Sequence, residues 1–462
     1  MHQSSSNNSD SANTTGAQDT TSGSLHNPLR TAIDALEIRV VAARAPTAVG
    51  RVAVVADGLV LGRAEGPGQL YLDDSRVSRI HARVEGATPR GPFRLVDASS
   101  KNGLRANGAP VNSHVLSLGD VLRMGDTLLI VDRASVPLSR SPVDFVAEGA
   151  ASRLVRAEID RVGPTDLSVV LTGASGTGKE VLARALHTRS QRLGPFHAVN
   201  CGAIPKDLVE ASLFGHRRGA FTGAVSDQDG HFVAAHGGTI FLDEVAELSA
   251  SAQVALLRVL ETRELTPVGS TQHRAVTARV IVATHQDLPQ LVRDGTFRDD
   301  LYARLAEWPI AVPSLAERKA DIPELVRWLV PPGVTVSVDA LEGLLLDPWP
   351  HNVRGLRTAL RQAEVRAAGA TCERRVEIDL AHLGAELAGR ILEDVPLVGA
   401  PRGPFERPTH AELTATLALY RGQISLVAAH FGKDRRQIYR WLEYAGIERP
   451  TGGRRQGEPP SD

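Results

Sequence analysis

Short apolar runs, broken every few residues by Gly, Asp or Pro, fill the chain from about Leu36 to Ala134, as in "RVAVVADGLVLGR", "FRLVDASS" and "DTLLIVDR". This rhythm predicts a small all-β domain over 36–134. Residues 135–144 include Pro137 and Pro142, show no clear period, and predict a linker. From Phe145 the pattern changes. "LSVVL" (167–171), "TIFL" (239–242) and "ARVIVA" (278–283) are continuous apolar runs suited to buried parallel strands. Amphipathic stretches such as "SAQVALLRVLETREL" lie between them, so 145–312 is expected to form a doubly wound α/β core. After Pro313 strand signals fade, and "ADIPELVRWL" and "NVRGLRTALRQAEVRAA" predict a helical subdomain over 313–388. A second linker (389–408) leads to a small all-α unit at 409–449. The polar tails, 1–30 and 450–462, have little to bury and are expected to be disordered.

The 462-residue length agrees with about three domains. Formal net charge is only -1, so no whole-chain field draws the protein to nucleic acid or membrane, and such a partner must meet a local patch. The two cysteines, Cys201 and Cys372, have neither metal-ligand spacing nor a disulfide framework, which fits a reducing cytoplasm. With no bilayer-length apolar run and no signal core, the expectation is a cytoplasmic protein with no membrane partner.

Chemistry begins at "GASGTGKE": Gly173, Ala174, Ser175, Gly176, Thr177, Gly178, Lys179 and Glu180. A strand precedes it and a helix follows, which is the setting of a phosphate-binding loop. Backbone N–H groups and the helix N-terminus attract phosphate oxygens, and Lys179 would reach the β and γ phosphates of ATP. Glu180 stands where the general motif has a Ser or Thr for Mg2+. The second element, "GGTIFLDEV", ends a strand in two carboxylates. Asp243 is placed to hold Mg2+ and Glu244 to polarise the attacking water. Between these elements lies "HRRGAFTGA", whose Gly219, Ala220, Phe221, Thr222, Gly223 and Ala224 carry no charge and read as a pliable loop with an exposed tip.

Taken with "FHAVNCGAI", "GTFRDDLYARL", "VPSLAERKADIP" and "WPHNVRGL", these runs make residues 146–387 resemble the AAA+ domain of bacterial enhancer-binding proteins, the activators of sigma-54 RNA polymerase. That family normally carries Glu at the position of Glu180. The resemblance implies that Asn200 holds the catalytic Glu in a waiting position. It also implies that Arg298 and Arg304 reach the ATP of a neighbouring subunit, and that Arg354 senses nucleotide from the lid. Helix-surface salt bridging with Asp299 and Asp300 is the alternative to that role for both arginines. Residues 219–224 become the sigma-54 contact. Departures are His285, where the family usually has Asn facing the γ-phosphate; His351, where it usually has Gly; and Gly355, where it usually has Glu. The segment around "LVPPGVTVSVDAL" is also short for the family.

In the β domain, "LGR", "SRVSRIHARV" and "DASSKNGLRANG" resemble a forkhead-associated (FHA) domain, a phosphothreonine-peptide binder. Arg63 and Ser78 would hold the phosphate and Asn102 the peptide backbone, with added charge from Arg79 and Lys101. His81 is expected to hold the loops. A degenerate domain used only for packing is the alternative. At the C-terminus, "ISLVAAHFGKDRRQIYRWLEYAGI" resembles a Fis-type helix-turn-helix. Its second helix would present Arg435, Arg436, Gln437, Tyr439 and Arg440 to DNA. From Arg402 to Arg455 there are ten Lys+Arg against five Asp+Glu, the local patch that neutrality of the whole chain required. The combined expectation is a ring-forming, ATP-driven activator, dimer to hexamer, bound to enhancer DNA and controlled by a phosphothreonine protein. The alternative is a DNA-bound regulator or repressor whose ATPase does not remodel polymerase.

Overall fold

The computed structural model describes residues 35–86, 92–134, 145–370, 376–384, 413, 417, 435–445 and 447. Both expected linkers, both tails and most of 409–434 lie outside them. Residues 36–86 and 92–134 form two sheets. One runs, in spatial order, Val52–Val54, Leu36–Ala42, Thr127–Arg133, Val121–Met124, Leu104–Ala106 and Ala109–Val111. The other runs Gln69–Tyr71, Val60–Gly62, Ala82–Gly86, Phe93–Asp97 and Ser113–Val115. Ile38, Leu61, Leu72, Leu95, Leu122 and Leu129 fill the space between them.

Thr127–Arg133 is buried almost throughout, because both of its faces are covered. Leu129 and Val131 point into the sandwich, while Leu128 and Ile130 point out and join Val41 and Val121 against Ile322, Val326, Leu344 and Leu345 of the helical subdomain expected over 313–388, the lid. Polar bonds fix this contact. Arg123 Nη1 donates to Asp339 Oδ1 (2.5 Å) and Glu342 Oε2 (2.6 Å), and Lys319 Nζ to the Gly119 carbonyl (3.3 Å). Asp321 accepts from the Glu148 and Gly149 N–H groups, both at 2.7 Å, and from Ser152 Oγ, so it secures the entry to helix Ala150–Val162. Burial pushes its pKa up, against the pull of Arg318.

The α/β core is a five-stranded parallel sheet in the order Phe196–Asn200, Thr239–Asp243, Arg279–Thr284, Val169–Thr172, Trp308–Ala311. Alternate residues serve opposite faces. Ile240 and Leu242 pack with Leu256, Leu260, Leu301 and Leu305, whereas Phe241 packs with Val155, Ile159, Leu182 and Leu186. Two covered faces explain the unbroken apolar runs. Buried Arg279 donates to the carbonyls of Val162, Gly163 and Leu167, closing the C-terminal end of helix Ala150–Val162. Burial, with a smaller push from Arg192, lowers its pKa to about 10 against the pull of Asp166.

The expected helix over 251–265 is shorter, Ala250–Thr262, and Glu264–Leu265 pairs with Arg274–Ala275. In the lid, helices Ile322–Leu329, Val338–Leu346 and Asn352–Ala370 are joined by a parallel strand pair, Val334–Val336 with Val376–Ile378. The expectation that strands end at Pro313 therefore fails: the alternating "VTV" segment is the sequence signal of the added strand. Near the C-terminus, helix Arg435–Tyr444 buries Ile438, Trp441 and Leu442 with Leu413 and Leu417. Among the described residues, no helix is long and apolar enough to cross a membrane.

Candidate functional site

Parallel register aligns the carboxyl ends of the strands, so Asn200 sits beside Asp243 and Thr172 beside Thr284. The loop at 173–178 leaves this edge and opens helix Lys179–Ser190. Gly178 caps that helix with φ 100°, and Gly176 adopts φ 78°, conformations that side chains resist. At Gly176 a Cβ would also lie 2.5 Å from the His351 carbonyl, so the lid can approach this closely only over glycine. Lys179 Nζ donates to the carbonyls of Gly173 (2.8 Å) and Ala174 (3.3 Å). Burial lowers its pKa, while Glu244 and Asp243 draw it back up.

Burial and the neighbouring Glu244 raise the pKa of Asp243, opposed by Lys179. Two carboxylates beside a lysine suit a hard oxygen-seeking cation that keeps phosphate and water in its shell, as Mg2+ does. Among the described residues no cluster of three or more His, Cys, Asp or Glu forms a protein-only cage. The two adjacent carboxylates, Asp243 and Glu244, fit an ion that takes its other ligands from a nucleotide and water. Glu180 lies on the exposed side of its helix, with its carboxylate against Arg184 (2.8 Å).

Glu244 follows the strand with φ 53° and ψ 48°. A non-glycine residue held there stores about 1–3 kcal/mol, and such strain concentrates at functional sites. Its Oε2 accepts from His285 Nδ1 at 2.7 Å. The next residue, Gln286, donates to Glu247 at 2.8 Å. Asn200 accepts the Gly202 N–H (3.0 Å) and caps the turn Cys201–Ala203.

The lid reads the phosphate loop through its backbone. Val353 N–H donates to Gly176 O (3.0 Å), Asn352 Nδ2 to Ser175 O (3.0 Å) and Arg318 to Thr177 O (2.5 Å). Arg354 reaches Ser175 Oγ at 3.4 Å. Asn352 and Arg318 sit in "WPHNVRGL" and "ERKADIP", but the sequence carries no signal of this role, since any donor can bond a carbonyl and their reach is tertiary. His351 and Gly355 are linked: a Cβ at 355 would lie 3.2 Å from the His351 Cβ. The larger residue at 351 goes with the absence of a side chain at 355.

Residues 216–228 form a closed loop. Gly215–His216 pairs with Gln228–Asp229, Gly219 N–H donates to Ala224 O (2.8 Å) and Ala224 N–H to Phe221 O (3.0 Å). Arg217 pairs with Asp227 (2.5 Å) and so braces the base. Thr222 and Gly223 are exposed at the tip, whereas Phe221 folds edge-on to His216, ring centroids 4.9 Å apart. Arg298 forms a bidentate pair with Asp300 (3.0 and 2.7 Å), and Arg304 lies 3.9 Å from Glu307. Both arginines are on the surface.

In the sandwich, three loops converge. Arg63 N–H donates to Ser78 O (2.9 Å), Lys101 N–H to Ser78 Oγ (3.1 Å) and Asn102 Nδ2 to Arg76 O (2.6 Å). Buried His81 accepts the Ser78 N–H and donates to Gly103 O, tying these loops together. A Cβ at Gly62 would lie 2.2 Å from Arg79 O, so this approach needs glycine. Arg63, Arg79, Lys101 and Asn102 are exposed, and Ser78 is half-buried among them. In the C-terminal helix Tyr439 and Arg440 are exposed and Gln437 is half-buried, while the side chains of Arg435 and Arg436 lie outside the described residues.

Comparison with known proteins agrees with this architecture. The sigma-54 interaction domain family matches residues 145–311 and the FHA domain family residues 59–125. The chain is 39% identical over 290 residues to the transcriptional regulatory protein GlrR of Escherichia coli, covering 61% of this chain and 63% of that one. It is 44% identical over 232 residues to the DNA-binding transcriptional regulator NtrC of Rhizobium meliloti, covering 48% of each. It thus spans between about half and two thirds of the length of these relatives. Among solved structures, NtrX from Brucella abortus in complex with ATP matches with TM-score 0.50 and 31% identity, over 66% of this chain and 70% of that one. The chain is thus a member of the sigma-54 interaction domain family, in a form with an FHA domain ahead of that domain.

Proposed function

We propose that this protein hydrolyses ATP as a ring oligomer to remodel sigma-54 RNA polymerase into the open complex, under the control of a phosphothreonine protein bound by its FHA domain. One observation supports this most: the phosphate loop, Asp243 and Glu244 share one edge of the sheet, with the loop 216–228 inserted in the chain between them. In this reading Lys179 exchanges its two carbonyl partners for phosphate oxygens. Asp243 would hold Mg2+, whose charge neutralises the phosphates when bound. Glu244 polarises the attacking water. Arg298 and Arg304 of a neighbouring subunit face the γ-phosphoryl, so that assembly and turnover are coupled. The tip at Thr222 touches sigma-54. Arg63 and Ser78 take the phosphate, Arg79 and Lys101 add charge and Asn102 holds the peptide. The C-terminal helix carries the DNA contacts.

The test is ATP turnover by the full chain as a function of its concentration, with Lys179→Ala alongside. Turnover that rises cooperatively with concentration and vanishes in the variant is the expected result. Wild-type protein that binds nucleotide but never hydrolyses it would overturn the proposal.

A further inference from the structure

We propose that the cleft between the sandwich and the lid is a second half of the phosphopeptide site, taking an extended apolar segment that flanks the phosphothreonine; this rests on the phosphopeptide reading of the FHA loops above. The cleft measures about 1310 Å³, more than the roughly 300–1,000 Å³ of a small-molecule pocket, so it has room for a length of chain. Ala42, Ala43 and Val49 of the sandwich form one wall, and Val330, Val334 and Val336 of the lid the other. Arg39, Arg327 and Asp126 on its lining are already paired, with Glu37, Glu324 and Arg76. Apolar walls and satisfied charges favour a hydrophobic occupant over an anion. Val334, Thr335 and Val336 line the cleft consecutively although side chains alternate along a strand, so Val334–Val336 meets it edge-on. Its other edge pairs with Val376–Ile378, and among the described residues no strand covers the edge in the cleft. An extended chain can add there through backbone hydrogen bonds while its side chains fill the apolar walls.

The two halves meet at Arg76. Its carbonyl accepts from Asn102, which holds the peptide backbone in the reading above, and its guanidinium pairs at 2.8 Å with Asp126 on the cleft lining. At Gly125 a Cβ would lie 2.7 Å from the Arg76 Cβ, so only glycine lets the two turns approach this closely. One arginine thus separates the loops from the cleft, a span of roughly 7 Å that two to three extended residues cross. Strand Leu36–Ala42 reaches the cleft with its carboxyl end, and its amino end lies roughly 20 Å away. A segment of the phosphorylated partner is therefore better placed to enter than the residues that precede Leu36. Seated there it touches sandwich and lid together, so peptide binding holds the two in their docked arrangement.

The experiment selects peptides on the full chain from a degenerate library with a central phosphothreonine and random residues on each side, alongside its unphosphorylated counterpart. The selected peptide, and a truncation keeping only the residues next to the phosphothreonine, are then measured by fluorescence anisotropy. The proteins are wild type, Ala43→Trp on the sandwich wall and Val334→Asp on the lid wall. Selected peptides should carry apolar residues beyond the immediate neighbours of the phosphothreonine, on one side of it. Burial of one large apolar side chain there should make the long peptide bind roughly ten-fold more tightly than the truncation. That gain should shrink to within about two-fold in both variants, while affinity for the truncation, which also reports folding, stays within about two-fold of wild type. Selection without that apolar preference, or a length gain that either variant retains in full, would overturn the proposal. Failure to select phosphothreonine over threonine peptides would instead remove the phosphopeptide reading itself.

Discussion

Replacing Arg123 by Ala tests whether the sandwich and the lid act as one body. Its guanidinium holds two carboxylates of the lid helix Val338–Leu346, and they are not equal. Asp339 is 65% exposed, and such a pair contributes about 1 kcal/mol at most. Glu342 is 6% exposed, and stripping the partner from a buried carboxylate costs about 3–5 kcal/mol. That figure is reduced here, because Arg105 stays 3.6 Å from Glu342. A net loosening of about 2–3 kcal/mol follows, a roughly 30- to 150-fold increase in transient opening. Hydrogen exchange is the suitable assay, since a multidomain chain does not unfold in a single step. Amides of strand Val121–Met124 and helix Val338–Leu346 should exchange faster by that factor, and helix Ala250–Thr262 should not change. Combining Arg123→Ala with Glu342→Gln should recover much of the loss, because the stranded charge is gone. If Arg123→Ala changes exchange by less than about two-fold, or the double variant is worse than the single, Arg123 does not hold the interface.

Other consequences can be measured separately. Arg63→Ala should weaken binding of a phosphothreonine peptide by about 30-fold or more in fluorescence anisotropy, as two charge-assisted bonds are lost, and leave ATP turnover intact. Gly355→Ala should stabilise the lid by about 1 kcal/mol in thermal melts only when His351 is also Gly, because the Cβ atoms otherwise crowd. Burial, then Asp243, lifts the Cys201 thiol from 9.0 to about 12, so iodoacetamide at pH 8.5 should label it only after unfolding. The folded state then keeps a proton that the unfolded chain releases, so this group's contribution to stability is complete below pH 9 and is lost as pH rises towards 12.

Much of this site was legible in the sequence, for definite reasons. Glycines 176 and 178 with Lys179 must occur at fixed spacing to wrap a phosphate, and Asp243 and Glu244 end an apolar run that only a buried strand explains. Strands Phe196–Asn200 and Trp308–Ala311 were harder, because the first mixes His and Asn into its run and the second contains a proline. The docking of the sandwich on the lid left a trace in "DTLLIVDR", an unbroken apolar run where an antiparallel strand with one wet face would alternate. Which surface covers that face is a tertiary fact. The bond between His285 and Glu244 is another: the sequence marks His285 as unusual, but only the packing of two loops says what it touches.

In the proposed function, ATP turnover is spent on sigma-54 polymerase. The assay for this is open-complex formation on a sigma-54 promoter, with the full chain, polymerase, ATP and a phosphothreonine peptide present. Wild-type protein should give ATP-dependent, salt-resistant open complexes. Thr222→Ala should hydrolyse ATP normally and give none. Normal turnover by the wild type without any open complex would mean that hydrolysis does not act on the polymerase.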